Sequence, residues 1–300
     1  MQPLPSIGVV FPADAPAETL PGYAARAEER GLDELWVIED CFLSGGVVLE
    51  ATALAATREL RVGIGLLPAA VRNPAIVAME IATLARLHPG RVAIAFGHGV
   101  PAWMRQIDAH PRKRLAALEE IVSAVKALLR GETLTVDGSH VRLDDVVLEN
   151  PPDEPPPILV GTTGPKGLAL AGRSGDGILL AEGAGPAFVE WAVGQASNGR
   201  QPECVVYAWM RVDEDEDRVR ALLAPALEHW SGSGNYPEPV RLAPADPLEL
   251  GVLGDPAACA RAIGRLAEAG AHSVVMVPLG GDREEQLDRL AADVLPLVRA

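Results

Sequence analysis

Residues Arg61–Gly99 read RVGIGLLPAAVRNPAIVAMEIATLARLHPGRVAIAFGHG. The stretch opens on a short apolar run, Arg61 to Leu66, closed by Leu67-Pro68. Asn73-Pro74 then carries a helix start, with Asn as N-cap and Pro at the first helical position, where its missing N–H costs nothing. The apolar periodicity runs to about Leu87 and stops at His88-Pro89-Gly90. Arg91 to Phe96 is a second apolar run, ended by Gly97-His98-Gly99. Two strands joined by a covering helix make a parallel βαβ unit. Both strands end in glycine, so a ligand there can approach bare backbone.

The unit recurs along the chain. Upstream, Ser6–Phe11 and Glu34–Ile38 read as strands, followed by helices over Pro16–Gly31 and Val47–Thr57. Downstream, Pro111–Arg130 has Leu115, Leu118, Ile121, Val122 and Val125 at helical spacing. Gly131–Pro157 breaks the rhythm. TLTVDGSHVRL alternates around Asp137-Gly138 and predicts a small hairpin. Strands at Ile158–Val160, Gly177–Leu180, Cys204–Met210 and Ser273–Val277 then alternate with helices at Pro165–Arg173, Pro186–Ala196, Asp215–Trp230, Pro256–Ala269 and Arg283–Val298. Ser231–Gly254 reads as a Pro/Gly-rich insertion. Eight βα steps across residues 1–300 predict one α/β domain, a (β/α)8 TIM barrel with insertions after the fourth and seventh units. An open doubly wound sheet is the alternative, but no GxGxxG follows the first strand.

Composition narrows the function classes. The 300 residues carry a net charge of −15, which disfavours nucleic acid and acidic membrane surfaces as partners. A small-molecule substrate is expected. Three dispersed cysteines without a CxxC argue against structural disulfides and zinc clusters. The absence of a signal-like segment or a long apolar run predicts a cytoplasmic protein that does not enter membranes.

In a (β/α)8 barrel the site lies at the carboxyl ends of the strands. Those ends here supply Phe11-Pro12, Asp40-Cys41, Gly65-Leu66-Leu67-Pro68, Gly97-His98-Gly99, Gly161-Thr162-Thr163-Gly164 and Ala181-Glu182-Gly183. The set matches no metal-ligand pattern, so no metal is expected. It has no nucleophile elbow and no strand-end lysine. A rim rich in backbone donors and poor in acid/base groups suits a bulky cofactor that performs the chemistry. Gly161–Gly167, GTTGPKG, leads into a helix whose N-terminal N–H groups can hold a phosphate, with Lys166 adding charge; ordinary loop chemistry reads equally well. Asp40 reads either as a functional carboxylate or as a helix cap. His98 reads as functional or as a hydrogen-bonded rim residue, and Cys41 as a small buried hydrophobe.

The ordered segments ELWVIED, GIGLLPAAVRNPAIVA, RVAIAFGHG, RLAALEEIVSAVKALLRGETLTVDG, PPILVGTTGPKGLALAGRSGDGILLAEG and GDPAACARAIGRLAEAGAHSVVMVP cover most of the chain. Together they resemble the luciferase-like oxidoreductases. Within that family they are most similar to the branch dependent on coenzyme F420, a 5-deazaflavin, and to its methylenetetrahydromethanopterin-reductase-like members. The resemblance implies a (β/α)8 barrel, a homodimer packed through helices near strands two and three, and a non-prolyl cis peptide at Gly65-Leu66 beneath the deazaflavin ring. It implies Asp40 at the ring edge, Leu66 and Leu67 below it and Gly97, His98 and Gly99 along its other side. Gly161, Thr162, Gly164, Lys166, Glu182 and Gly183 are implied around the ribityl phosphate. Hydride transfer to or from the ring is the implied chemistry, with Asp40, Glu39 and His98, in that order, as proton donor or acceptor. Arg112, Lys113 and Lys166 are implied near the acidic tail or phosphate. Sugar-phosphate-oxidising members carry a His where this chain has Cys41 and a Glu where it has Val100, which argues against glucose-6-phosphate-type activity. An FMN-dependent monooxygenase and a catalytically silent, cofactor-binding barrel are the alternatives.

Overall fold

The structure is a computed structural model and describes residues 4–234 and 236–300. Its strands are β1 (Ser6–Val10), β2 (Glu34–Val37), β3 (Arg61–Pro68), β4 (Val92–Gly97), β5 (Leu134–Asp137), β6 (Arg142–Val146), β7 (Ile158–Gly161), β8 (Gly177–Leu180), β9 (Glu203–Val212), β10 (Gly251–Gly254) and β11 (Ser273–Pro278). Pairing runs β1-β2-β3-β4-β7-β8-β9-β11 and returns to β1, every step parallel. This closed ring of eight strands is a (β/α)8 TIM barrel.

The helices are α1 (Leu20–Glu29), α2 (Gly46–Ala56), α3 (Pro74–Leu87), α4 (Pro101–Gln106), α5 (Arg114–Leu129), α6 (Pro165–Ser174), α7 (Pro186–Ala196), α8 (Glu216–Gly232), α9 (Pro237–Arg241), α10 (Pro256–Glu268), α11 (Arg283–Arg289) and α12 (Leu295–Val298). The α3 start forms as its sequence requires. The Asn73 side chain accepts a hydrogen bond from the Ala75 N–H at 2.9 Å, and Pro74 takes the first turn. The hairpin around Asp137-Gly138 is present as the antiparallel pair β5–β6.

Three elements differ from the sequence expectation. The helix expected from Pro111 begins only at Arg114, and residues 101–106 form the separate short helix α4. Between them Asp108 takes φ 56°, which a continuous helix cannot contain. The insertion expected over Ser231–Gly254 carries a strand, β10, paired parallel to the far end of β9. β9 outgrows β8, and that surplus edge gives β10 its partner. Strand β3 also runs past Leu66 to Pro68, through a bulge between Gly65 and Leu67.

The core has two layers. Inside the ring, Val10, Trp36, Ala93, Ala95, Leu159, Leu179, Val205, Tyr207 and Val275 fill the barrel. Alternate residues such as Ile64, Ile94 and Phe96 point outward against the helices. Both faces are buried, so VAIAFG in β4 reads as an unbroken apolar run rather than an alternation. Small residues on β3 and β4 make room for the large ones. A Cβ on Gly63 would lie 2.6 Å from the Trp36 ring, and that ring meets Tyr207 edge-on at 5.9 Å.

Candidate active site

A cavity of about 330 Å³ opens at the carboxyl ends of β2, β3, β4, β7 and β8. Its base is the β3 bulge. The Gly65-Leu66 peptide is cis, as is Cys41-Phe42 in the loop after β2. Gly65 lies against Tyr207, whose hydroxyl oxygen stands 3.5 Å from the Gly65 carbonyl; a Cβ at Gly65 would come within 2.1 Å of that oxygen. The Leu66 side chain lies between Gly97 and Gly161, where an added Cβ would be 2.5 Å from Leu66 Cδ2 in either case. Any larger residue at those three positions would displace this floor.

Asp40, Glu39, Gly65, Leu66, His98, Gly99, Gly161 and Thr162 all line the cavity. The others expected from the sequence stand outside the lining. Leu67 is fully buried and packs into the strand–helix layer, because the bulge turns Leu66 alone toward the cavity. Gly97 lies behind Leu66. Gly164 is the N-cap of α6, and Lys166 is exposed in its first turn. Gly183 takes φ +84° and packs beneath Trp230, where a Cβ would lie 2.5 Å from the indole. Arg112 and Lys113 are exposed and outside the cavity wall.

The two adjacent carboxylates after β2 have separate duties. Glu39 Oε1 accepts from Arg72 Nη1 at 2.5 Å, and Oε2 from Arg72 Nη2 at 2.7 Å and from the Gly46 N–H at 2.8 Å. It is therefore Glu39 that caps α2, while a two-pronged guanidinium pins it. Asp40, the capping alternative in the sequence, makes no side-chain hydrogen bond or ion pair among the described residues. Burial raises its pKa above the ordinary aspartate value. Glu182, beyond β8, is likewise raised, first by burial and then by the charge of Asp40. The His98 pKa is lowered by burial and by Arg114, which favours the neutral imidazole at pH 7.

Arg114, Tyr236 and Trp103, none of them singled out from the sequence, all line the cavity. Arg114 was hidden because its segment reads as mid-helix, whereas it is the first residue of α5. Its guanidinium makes no hydrogen bond or ion pair among the described residues. Tyr236 comes from the insertion after α8 and stacks on Trp230, ring centroids 6.4 Å apart. No short-range signal in a Pro/Gly-rich run marks such a residue.

Comparison with known proteins places this architecture. The family described as luciferase-like monooxygenase matches residues 6–273. The chain is 30% identical over 312 residues to an F420-dependent glucose-6-phosphate dehydrogenase of Kineococcus radiotolerans, covering 93% of each protein. It is 29% identical over 225 residues to a 5,10-methylenetetrahydromethanopterin reductase of Methanolobus tindarius, covering 72% of this chain and 68% of that one. The structure of the coenzyme F420-dependent tetrahydromethanopterin reductase from Methanopyrus kandleri superposes with a TM-score of 0.80 at 20% identity, covering 98% of this chain and 99% of that one. With its closed parallel barrel and its cavity at the strand ends, the chain belongs to the luciferase-like monooxygenase family.

Proposed function

We propose that the protein is a coenzyme F420-dependent oxidoreductase that transfers a hydride between the deazaflavin and a small organic substrate. The observation that carries this reading is the floor at the β3 bulge, where Gly65, Gly97 and Gly161 leave Leu66 as the one side chain beneath a flat ligand. Its volume and largely apolar walls suit a tricyclic ring. When bound, the deazaflavin supplies a two-electron hydride donor or acceptor.

The chain's own residues orient, shield and manage protons. Leu66 and the backbone on either side support the ring. Arg114, without another partner among the described residues, would provide a cation for the cofactor's phosphate, with Thr162 in the same cavity wall. Trp103 and Tyr236 line the cavity and would help to exclude water from a bound ring. Asp40 is the proposed proton donor or acceptor, since it lines the cavity without a side-chain partner among the described residues and burial raises its pKa above the ordinary aspartate value. Neutral His98 can accept or donate a hydrogen bond. Glu39 is committed to Arg72 and Gly46 and acts by holding the Asp40 loop in place.

The relatives named above, described as F420-dependent or as acting on methylenetetrahydromethanopterin, support the cofactor assignment. We further propose a homodimer through α2 and α3. The free cysteines Cys41, Cys204 and Cys259 fit a reducing, cytoplasmic setting. Among the described residues no helix is long and apolar enough to cross a membrane.

Fluorescence titration of the purified chain with F420 and with FMN tests the reading. The expected result is micromolar or tighter F420 binding, weaker FMN binding, and about a tenfold loss of F420 affinity in Arg114→Ala, as for one charge-assisted contact. Tighter FMN binding would turn the reading toward a flavin monooxygenase, and binding of neither would end it.

A further inference from the structure

The walls of the cavity differ in chemistry. Its polar side chains come from the ends of β2, β4 and β7 and from α5: Glu39, Asp40, His98, Thr162, Thr163 and Arg114. The β8 side and the insertion after α8 contribute Leu179, Ala181 and Tyr236. In the ring order β9 stands four steps from β3, so its end faces the β3 bulge across the barrel mouth. Among the described residues no side chain of β9 lines the cavity. Tyr236 takes that place, carried there by a tryptophan that packs on β9.

That tryptophan is Trp230, near the end of α8 and buried. It meets the Trp209 ring of β9 edge-on, centroids 6.1 Å apart, and fills the space that a Cβ at Gly183 would need. Its other ring neighbour is Tyr236, tilted from it by 26°. Val219, Leu223, Leu250 and Leu253 pack around both tryptophans, so the insertion has an apolar core of its own, separate from the barrel's. From that core one aromatic ring reaches the cavity. Its position is fixed before any ligand arrives, which lowers the ordering cost of binding against it.

We infer that Tyr236 is a specificity-determining residue that receives a flat, apolar face of the substrate. The inference rests on the F420 reading and adds the substrate class to it: a molecule with an aromatic or other planar apolar ring, rather than a sugar phosphate. In that reading Leu66 supports one face of the deazaflavin, so the substrate meets the other face. It then lies between the cofactor and the wall opposite the β3 floor, where Tyr236, Leu179 and Ala181 stand. A planar ring can stack in offset fashion between two flat surfaces. A sugar in the same place would bury several hydroxyls against a wall whose one polar side-chain atom is the tyrosine oxygen, and each unpaired hydroxyl costs affinity.

A ring that only completed the insertion's core would affect stability, F420 affinity and substrate affinity together. A ring that receives the substrate affects substrate affinity beyond the other two. Tyr236→Phe removes the hydroxyl and keeps the flat surface, Tyr236→Leu keeps apolar bulk without that surface, and Tyr236→Ala removes both. The three variants thus separate stacking from hydrogen bonding and from simple filling of space.

The test uses protein saturated with F420 and three probes: 2-naphthol, its saturated counterpart decahydro-2-naphthol, and glucose 6-phosphate. Calorimetry reads probe binding, and deazaflavin fluorescence anisotropy reads whether the cofactor stays bound. Failure of the wild type to load F420 removes the F420 reading and this inference with it. With loading established, 2-naphthol is expected to bind the wild type more tightly than either other probe. Tyr236→Phe should keep that affinity within about twofold, whereas Tyr236→Leu should lose about fivefold and Tyr236→Ala about tenfold, the scale of one aromatic contact. F420 affinity should fall by much less in the same variants, and circular dichroism verifies that each is folded. Equal losses of F420 and 2-naphthol affinity would overturn the inference, because Tyr236 would then serve the cofactor. It would also be overturned by displacement of F420 by 2-naphthol, by unchanged 2-naphthol binding in both the Leu and Ala variants, by no 2-naphthol binding at millimolar concentration, or by equal or tighter binding of either other probe. Each of these results leaves the F420 reading standing.

Discussion

At the scale of single residues, the carboxylates show how little a residue type says without its surroundings. Glu34, Glu39, Asp40, Glu50 and Glu182 are all acidic groups on or near the barrel. Glu34 is 1% exposed but accepts from the Trp36 indole at 2.7 Å, the Ser273 hydroxyl at 2.8 Å and Arg61 at 3.0 Å. Glu50 on α2 is 0% exposed, and its carboxyl oxygens make no well-aligned hydrogen bond, with the Ala93 backbone N–H near them. Burial raises its pKa well above the ordinary glutamate value. The folded state therefore holds a proton that the unfolded chain releases above its ordinary pKa. That contribution to stability is full below the unfolded pKa and fades as pH rises toward the folded one. Glu50→Met is expected to stabilise the fold at pH 7.5 by about 1–3 kcal/mol, the range for removing an unpaired buried polar group. It should also flatten the decline in stability between pH 5 and 8. Urea unfolding at both pH values measures this; an unchanged midpoint at pH 7.5 would show that the carboxyl is satisfied by water.

At the scale of elements, the site depends on junctions where one element fixes the next. The Arg72–Glu39 pair joins the turn before α3 to the loop after β2, and the same carboxylate caps α2 through Gly46. Arg72 and Glu39 are 24% and 10% exposed, so the pair is largely shielded from solvent. Arg72→Ala leaves a shielded, unpaired carboxylate and is expected to cost about 3 kcal/mol. It should also weaken F420 binding, because Asp40 adjoins the released residue. Thermal unfolding and the cofactor titration read these two effects separately. A stability loss with F420 affinity intact would mean that the loop holds its shape without Glu39.

At the scale of the whole molecule, α3 carries large apolar side chains on its outer as well as its inner side. Val77, Ala78, Ile81 and Leu84 face the barrel and are buried. Ile76, Met79 and Leu87 face outward at 50%, 52% and 68% exposure. Val48 on α2 and the loop residues Phe42 and Leu43 are also exposed, at 69%, 64% and 59%. Although Glu80, Thr83 and Arg86 lie among them, exposed apolar side chains at this density mark an interaction surface. The expected outcome is a dimer in sedimentation equilibrium at micromolar concentration, dissociated by Ile76→Asp with Met79→Glu. A wild-type monomer at that concentration would remove the dimer from the reading.

The sequence by itself determined the βα alternation, because strand runs, helix periodicity and the Asn73-Pro74 start are local properties of the chain. It also located the strand-end rim, since the barrel rule converts strand ends into a site. Tertiary structure decided which rim residues face the cavity. The β3 bulge sends Leu66 inward and Leu67 outward, a choice set by pairing with β4 rather than by either side chain. Glu39, not Asp40, became the cap of α2 because Arg72 arrives from the next βα unit to fix it. Arg114 and Tyr236 reached the cavity from a helix start and an insertion whose placement depends on packing, and β10 formed because β9 outgrew its neighbour. Each of these rests on contacts between segments far apart in the chain, and no local pattern encodes them.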